Sequence, residues 1–164
     1  MSYKSKVTLM PIFLSVAGVL LVGGVIFYFS SPLDKAEAGI SLQHKDRDSV
    51  ELGKAIYAEN CASCHGVVLE GQANWRQRDA EGYLPAPPHD ERGHTWHHPD
   101  SYLFLMTKYG IEEMIGRSYA NNMPAYEDTL TDDEIIAALS YIKSIWSDRI
   151  QRQHDQITAR AKEH

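Results

Sequence analysis

Both cysteines of this 164-residue chain lie in one five-residue motif, Cys61-Ala-Ser-Cys64-His65. Two thiols on a single turn of chain can each add to a vinyl group of one porphyrin, and the imidazole that follows can then reach the iron from the same side. This spacing is the pattern of c-type haem attachment. We therefore predict one covalently bound haem c, held by Cys61 and Cys64, with His65 as an axial ligand of the iron.

Three other uses of a Cys-x-x-Cys pair fit the sequence less well. A thioredoxin-like redox pair requires a βαβ pattern, whereas the flanking sequence is helical and loop-like. A zinc site needs a second cysteine or histidine pair at matching spacing. A disulfide across so short a loop would constrain little of the unfolded chain.

The charge balance excludes one class of partner. The chain has 16 Lys and Arg residues against 22 Asp and Glu residues, a net charge of −6. Nucleic-acid binding requires a basic face, so no nucleic-acid partner is expected. From residue 39 onward, 13 basic and 20 acidic residues leave a net charge of −7. This part of the chain should therefore dock on basic patches of its partners.

The N-terminal segment is long and apolar. Residues 7–33 carry no charge, and their centre is apolar on every helical face, whereas about 20 such residues suffice to cross a bilayer. We predict a single transmembrane helix within residues 1–30. Lys4 and Lys6 would hold its start in the cytoplasm of a bacterium and place the remaining chain in the periplasm.

A cleavable signal peptide is the alternative, with Ala36-Glu-Ala38 as its cleavage site, but its apolar region usually spans only about 7–15 residues. Residues 31–47 contain Pro32 and mixed charges with no apolar period, and they are predicted to form a linker.

The sixth ligand of the iron is sought among three methionines. Met123 lies in the loop Asn121-Asn-Met-Pro-Ala-Tyr126, where Pro124 stiffens the backbone beside the thioether. Met106 falls within an apolar helical pattern and suits core packing. Met114 follows a predicted helix end and is the second candidate. We predict Met123 as the ligand.

Two helices can be read directly from the sequence. Thr131 and Glu134 form a capping box, and apolar residues then recur at three- and four-residue steps as far as Trp146. Another helix starts at Pro99-Asp100 and ends at Gly110.

With these features assembled, residues 50–146 resemble a class I c-type cytochrome, a small all-helical haem carrier. Leu52-Gly-Lys-Ala-Ile-Tyr57 is similar to the first helix of that family, Met123-Pro-Ala-Tyr126 to its ligand loop, and residues 130–146 to its last helix. The resemblance implies an all-α cytochrome c domain over residues 48–147 around one haem. It also implies that Gly53 and Tyr57 meet the last helix near Tyr141.

The sequence departs from the family in two places. The family commonly has a Pro-x-Leu whose proline carbonyl accepts a hydrogen bond from the ligand histidine. The corresponding stretch here is Leu84-Pro-Ala-Pro-Pro-His89, which leaves open which carbonyl orients His65. The second departure is a polar helical extension over residues 148–164, with isolated Ile150 and Ile157, which we expect to be a solvated extension rather than a partner-binding helix.

Four histidines fall within ten residues: His89, His94, His97 and His98. One hypothesis is a second metal site for copper or zinc, and another makes one of them the iron ligand in place of Met123. We prefer the simpler interpretation that they bond to the haem propionates, cap the helix at Pro99 or face water.

The sequence thus predicts a membrane-tethered periplasmic electron carrier with a haem c ligated by His65 and Met123. A filled sixth position leaves no site for substrate, so no catalysis is expected at the iron. Its partners would be redox proteins, either soluble carriers or membrane respiratory complexes. One alternative is a fixed cytochrome subunit of a larger membrane oxidoreductase complex, and another is a haem sensor with a labile sixth ligand.

Overall fold

Helices provide all the regular secondary structure of the part of the chain that the structure describes. The structure is a computed structural model and describes residues 39–163. This range contains no strand, so the predicted all-α class is confirmed. Its helices are α1 Arg47–Asn60, α2 Ala62–His65, α3 Asp100–Tyr109, α4 Ile111–Ile115, α5 Asp132–Ser144 and α6 Asp148–Ala161, with a 3-10 helix Thr95–His97 before α3.

The predicted transmembrane helix lies outside the described residues, as do residues 31–38 of the predicted linker. Between residues 39 and 163, no helix is both long enough and apolar enough to cross a membrane.

Side-chain caps explain where the helices begin. The Asp46 carboxylate accepts a hydrogen bond of 2.8 Å from the Ser49 amide and starts α1. The predicted capping box of Thr131 and Glu134 is present at the start of α5. α3 ends before Gly110, whose positive φ of 85° suits glycine.

The two longest helices of the cytochrome-like region, α1 and α5, cross at a glycine. A Cβ atom at Gly53 would overlap the carbonyl oxygen of Ala137, so the helices could not approach this closely with any other residue there. One turn further along α1, the rings of Tyr57 and Tyr141 pack with their centroids 5.5 Å apart. The expected meeting of Gly53 and Tyr57 with the last helix is therefore confirmed.

A single apolar core lies between these helices and the loops that follow α2. Its buried members are Leu42, Tyr57, Leu69, Leu103, Phe104, Leu105, Tyr126, Ile135, Leu139, Ile142, Trp146 and Ile150. Leu69 and Tyr126 come from loops, so the segments after the cysteine motif and around the methionine loop are fixed to the helical core.

The C-terminal extension packs against the domain instead of extending into solvent. α5 ends at Ser144, and α6 begins at Asp148 as a separate helix. Its residues Ile150, His154 and Thr158 are buried at four-residue spacing, so one face of α6 is covered. The expectation of a solvated extension is therefore wrong for this face.

The inner face of α6 meets a buried carboxylate. The Asp100 side chain accepts hydrogen bonds from the Leu42 amide at 2.9 Å and from the Thr158 hydroxyl at 3.1 Å. The Lys143 ammonium lies 3.8 Å from the same carboxylate, and both side chains are almost fully buried. These contacts attach both the segment before α1 and the C-terminal helix to α3 and α5.

His154 completes this buried cluster without carrying a charge. Burial lowers its pKa to about 4, so the imidazole is neutral at pH 7. Its Nε2–H donates to the His98 carbonyl at 2.8 Å, which leaves Nδ1 unprotonated and 3.5 Å from an Asp100 oxygen. Lys143, whose ammonium also pairs with the exposed Asp155 carboxylate at 2.6 Å, is therefore the cation beside Asp100, and His154 is not.

Candidate haem site

The cysteine motif sits at the corner where α1 ends. Cys61 caps α1 by donating its amide to the Tyr57 carbonyl at 2.9 Å. The single turn of α2 follows directly and ends at His65. Both thiols are free, with Cys61 half-buried and Cys64 exposed. Burial raises the pKa of the Cys61 thiol to about 11, so this thiol is protonated at neutral pH.

The imidazole of His65 is oriented by one proline carbonyl. Its Nδ1–H donates to the Pro87 oxygen at 2.8 Å, and within residues 39–163 its Nε2 has no hydrogen-bond partner. Burial lowers the pKa of His65, which keeps the ring neutral. A neutral imidazole whose Nδ1–H is engaged by a carbonyl presents Nε2 as a metal ligand.

The stretch that contains Pro87 is held against the motif by backbone hydrogen bonds. The Gly71 amide donates to the His65 carbonyl at 2.8 Å, and the His89 amide donates to the Leu69 carbonyl at 2.9 Å. Gly71 has a positive φ of 69°, and a Cβ there would overlap the backbone of Pro87 and Pro88. The glycine is therefore required for this close approach.

The ring of His89 lies flat against the ring of His65. Their centroids are 3.9 Å apart, and the ring planes differ by 22°. The Nδ1 atom of His89 bonds to the Thr95 hydroxyl at 2.8 Å, and the Trp146 indole N–H donates to the His89 carbonyl at 2.8 Å. Burial lowers the pKa of His89 well below its ordinary value, so this ring is neutral as well.

Each of the other three histidines of the loop stacks on a different aromatic ring, and His94 and His98 also meet edge-to-face with their centroids 5.7 Å apart. His94 stacks on Trp75 at 5.5 Å between centroids, His97 on Trp96 at 3.6 Å and His98 on Tyr102 at 4.6 Å. Across the described range, no three His, Cys, Asp or Glu side chains are grouped so that they could hold a metal ion. The four histidines are thus close in sequence but are not gathered into one metal site.

The methionine loop is tied to the cysteine motif through Tyr126. The buried Tyr126 hydroxyl donates to the Asn60 carbonyl, the residue before Cys61, at 2.7 Å. The Met123 amide donates to the Asn121 side chain at 3.0 Å, and the Met123 side chain is half-buried. The structure therefore links the loop that carries Met123 to the start of the motif.

The competing methionines lie in helices. Met114 follows the end of α3, as expected, and lies inside the short helix α4, where it packs against the core. Met106 lies in α3, as the apolar helical pattern predicted. Neither helix is joined to the cysteine motif by a hydrogen bond like that of Tyr126, within the residues described.

This donor set suits a covalently bound haem. It offers two free thiols on one turn, a neutral imidazole with an open Nε2 and a thioether on an anchored loop. The sequence predicted these four residues. It did not predict that Pro87 accepts a hydrogen bond from His65, nor that Thr95 and Trp146 form hydrogen bonds with His89. The one available signal was the Pro-x-His spacing of Pro87 and His89, which matches the family's Pro-x-Leu.

Comparison with known proteins identifies the class. Residues 50–146 match the family model for cytochrome c, so the chain belongs to the cytochrome c family. Its cofactor is therefore covalently attached haem c, and its general activity is electron transfer.

One curated relative is the nitrite reductase of Stutzerimonas stutzeri, 29% identical over 134 residues. That alignment covers 78% of this chain and 20% of the enzyme, so the chain spans about a fifth of the relative it matches. No solved structure gave a significant match.

Proposed function

We propose that this protein is a membrane-tethered periplasmic electron carrier whose iron is ligated by His65 and Met123. When bound, haem c supplies an iron that alternates between the ferrous and ferric states. The residues of the chain hold that iron in one environment, so that little structural change accompanies each electron.

The hydrogen bond from His65 to Pro87 carries this proposal. At 2.8 Å it fixes the tautomer of a buried, neutral imidazole, and Nε2 is left to ligate. The bond also places partial negative charge beside the ring, which makes the imidazole a stronger donor to the metal. A ring held in this way is suited to remain a ligand in both oxidation states.

Met123 is the proposed sixth ligand because its loop is fixed to the motif. Tyr126 anchors the loop to the Asn60 carbonyl, and its amide donates to the Lys108 carbonyl at 3.0 Å at the end of α3. A thioether ligand favours the ferrous state and raises the reduction potential. An occupied sixth position also excludes small ligands, which suits a carrier better than an enzyme.

The membrane tether and the acidic surface complete the proposal. The uncharged residues 7–33 are the proposed anchor, and the orientation set by Lys4 and Lys6 would place the haem domain in the periplasm. The net charge of −7 from residue 39 onward favours redox partners with basic docking patches.

Replacing Met123 by alanine tests the ligand assignment. We expect the reduction potential to fall by on the order of 0.1 V or more, since axial ligands set haem potentials over a range of about 0.8 V. The ferrous protein should also gain the ability to bind carbon monoxide. A spectroelectrochemical titration and a carbon monoxide difference spectrum measure the two effects.

Met114→Ala is the matched control. Met114 packs against the core, so its loss should reduce stability but leave the potential and the carbon monoxide spectrum unchanged. If Met114→Ala instead lowers the potential and Met123→Ala does not, the ligand is reassigned to α4. Carbon monoxide binding by the unmodified ferrous protein would favour the haem sensor with a labile sixth ligand.

The match to part of a nitrite reductase favours a second candidate, a fixed cytochrome subunit of a larger oxidoreductase complex. Extraction of the full chain from membranes with a mild detergent separates the two candidates. A carrier is expected to migrate as a single haem polypeptide. Stoichiometric co-purification with other redox subunits, stable to added salt, would instead identify the chain as a subunit.

A further inference from the structure

We propose that His89 is a positioning residue: its imidazole, stacked on His65, fixes the rotation of the His65 ring and so the plane in which Nε2 meets the iron. This inference rests on the proposed role of His65 as an axial ligand. It adds a role for a residue that stands where the family commonly has leucine.

The His65 ring needs a constraint beyond its hydrogen bond to Pro87. The hydrogen bond from Nδ1 to the Pro87 oxygen restrains rotation of the ring about Cβ–Cγ only loosely, because a hydrogen bond tolerates a range of angles. Rotation of an aromatic ring about its Cβ–Cγ bond is intrinsically soft, because this torsion has broad minima. A flat group against one face of the ring removes this freedom.

His89 supplies that flat group. Its ring lies 3.9 Å from the His65 ring between centroids, with only 22° between the planes. A leucine could fill the same space, but its branched side chain offers no plane against which a ring can align.

His89 can act as a support because it is itself held at three points. Its amide donates to the Leu69 carbonyl at 2.9 Å, and its carbonyl accepts the Trp146 indole N–H at 2.8 Å. Its Nδ1 bonds to the buried Thr95 hydroxyl at 2.8 Å. The bond to Thr95 fixes the orientation of the His89 ring as well as the position of its backbone. The His65 ring, which stacks on it, is therefore held in one orientation.

Thr95 and Trp146 place this support within the core of the domain. Trp146 is 3% exposed and follows α5, and its ring packs edge-on against His154 of α6 at 5.1 Å between centroids. The position of His89 therefore depends on the packing of the last two helices. A ligand plane held in this way remains the same from one molecule to the next.

The experiment uses the full haem-loaded chain in the ferric state, and the main readout is electron paramagnetic resonance. The orientation of an axial imidazole plane sets the g-value anisotropy of a low-spin ferric haem. We expect the unmodified protein to give one narrow low-spin species. His89→Ala should give at least two species or a clearly broadened spectrum, with haem content unchanged.

Two further variants separate positioning from simple packing. His89→Phe retains a flat ring against His65 but loses the bond to Thr95, so its spectrum should be narrower than that of His89→Ala and about as broad as that of Thr95→Val. Thr95→Val removes that bond while retaining His89, so its spectrum should be broader than that of the unmodified protein. His97→Leu is the control, because this exposed histidine stacks on Trp96 and should leave the spectrum unchanged.

The outcomes are decisive. If His89→Ala keeps the narrow spectrum of the unmodified protein, the inference is overturned even if the variant is less stable. If His89→Ala fails to fold, Thr95→Val decides, and an unbroadened spectrum there overturns the inference. If the unmodified protein itself lacks a histidine-ligated low-spin haem, the ligand assignment fails instead, and the two failures are thus distinguishable.

Discussion

A variant in which both Cys61 and Cys64 are replaced by alanine is expected to contain no covalently bound haem. These are the only two cysteines of the chain, so no other thiol can form a thioether. Intact-protein mass spectrometry should give the mass of the bare polypeptide, and a denaturing gel stained for haem should be blank. The effect on haem content is all or none because the double substitution removes both thioether bonds.

Single variants and a neighbouring control sharpen this test. Cys61→Ala and Cys64→Ala each leave one thiol on the turn, so a fraction of the chain should still carry haem through one thioether. Ser63→Ala changes the exposed residue between them and should retain full haem content. Haem that stays bound through denaturation in the double variant would contradict the attachment assigned to this motif.

The cysteine site could be predicted from sequence because its geometry is local. Cys61, Cys64 and His65 lie on one turn, and the His65 amide donates to the Cys61 carbonyl at 2.9 Å, so consecutive residues define the arrangement without help from the fold. The capping box at Thr131 is local in the same sense. Both features needed only the chemistry of residues a few positions apart.

The carbonyl that orients His65 could not be chosen from sequence, since Pro87 lies 22 residues further along the chain. The stretch around it offers several carbonyls within a few residues. The choice depends on the hydrogen bonds of Gly71 and His89 that hold this stretch against the motif. Only the folded backbone determines which proline faces the ring.

The packing of α6 was missed because its inner face is not apolar. The buried residues Ile150, His154 and Thr158 include one hydrophobic side chain, so the mean hydropathy of the helix is low, although these residues share one face at four-residue spacing. Burial of the other two depends on Asp100, which is 58 residues from Thr158 and is itself buried. The amphipathic spacing of α6 was thus a usable signal in the sequence, whereas the distant Asp100 carboxylate that the buried polar side chains meet could not be read from it.

Replacing Lys143 by methionine is expected to lower the free energy of unfolding by about 3–5 kcal/mol, the usual cost of breaking a buried ion pair by removing one partner. The Lys143 and Asp100 side chains are 2% and 4% exposed, and 3.8 Å separates the ammonium from the carboxylate. Methionine fills a similar volume but leaves the buried Asp100 charge without a cation. It also removes the 2.6 Å ion pair of Lys143 with Asp155, whose exposed carboxylate remains solvated. Urea unfolding followed by tryptophan fluorescence measures the loss.

Two variants show whether the effect belongs to this pair. Lys54→Met removes an exposed lysine of α1 and should change stability by no more than about 0.5 kcal/mol. Adding Asp100→Asn to Lys143→Met removes the unpaired charge, so the double variant should be more stable than the sum of the single losses implies. Strict additivity would show that the two charges do not interact.

The Lys143→Met variant should also show a different dependence of stability on pH, because it changes the pKa of His154. In the unmodified protein the folded pKa of His154 is about 4, below its unfolded value of 6.5, so the unfolded chain binds more protons between these values. Stability is then complete above pH 6.5 and falls as the pH drops toward 4, by at most about 1.4 kcal/mol per pH unit for this group.

Lys143→Met removes a positive charge that lowers this pKa and leaves the Asp100 carboxylate, 3.5 Å from Nδ1, to raise it. The folded imidazole can then take up a proton and supply the missing cation. The loss of stability between pH 7.5 and 5.5 should therefore be smaller in the variant than in the unmodified protein, as measured by urea unfolding at both pH values. Equal losses in the two proteins would mean that neither His154 nor His44, whose pKa Lys143 also lowers, senses the charge of Lys143.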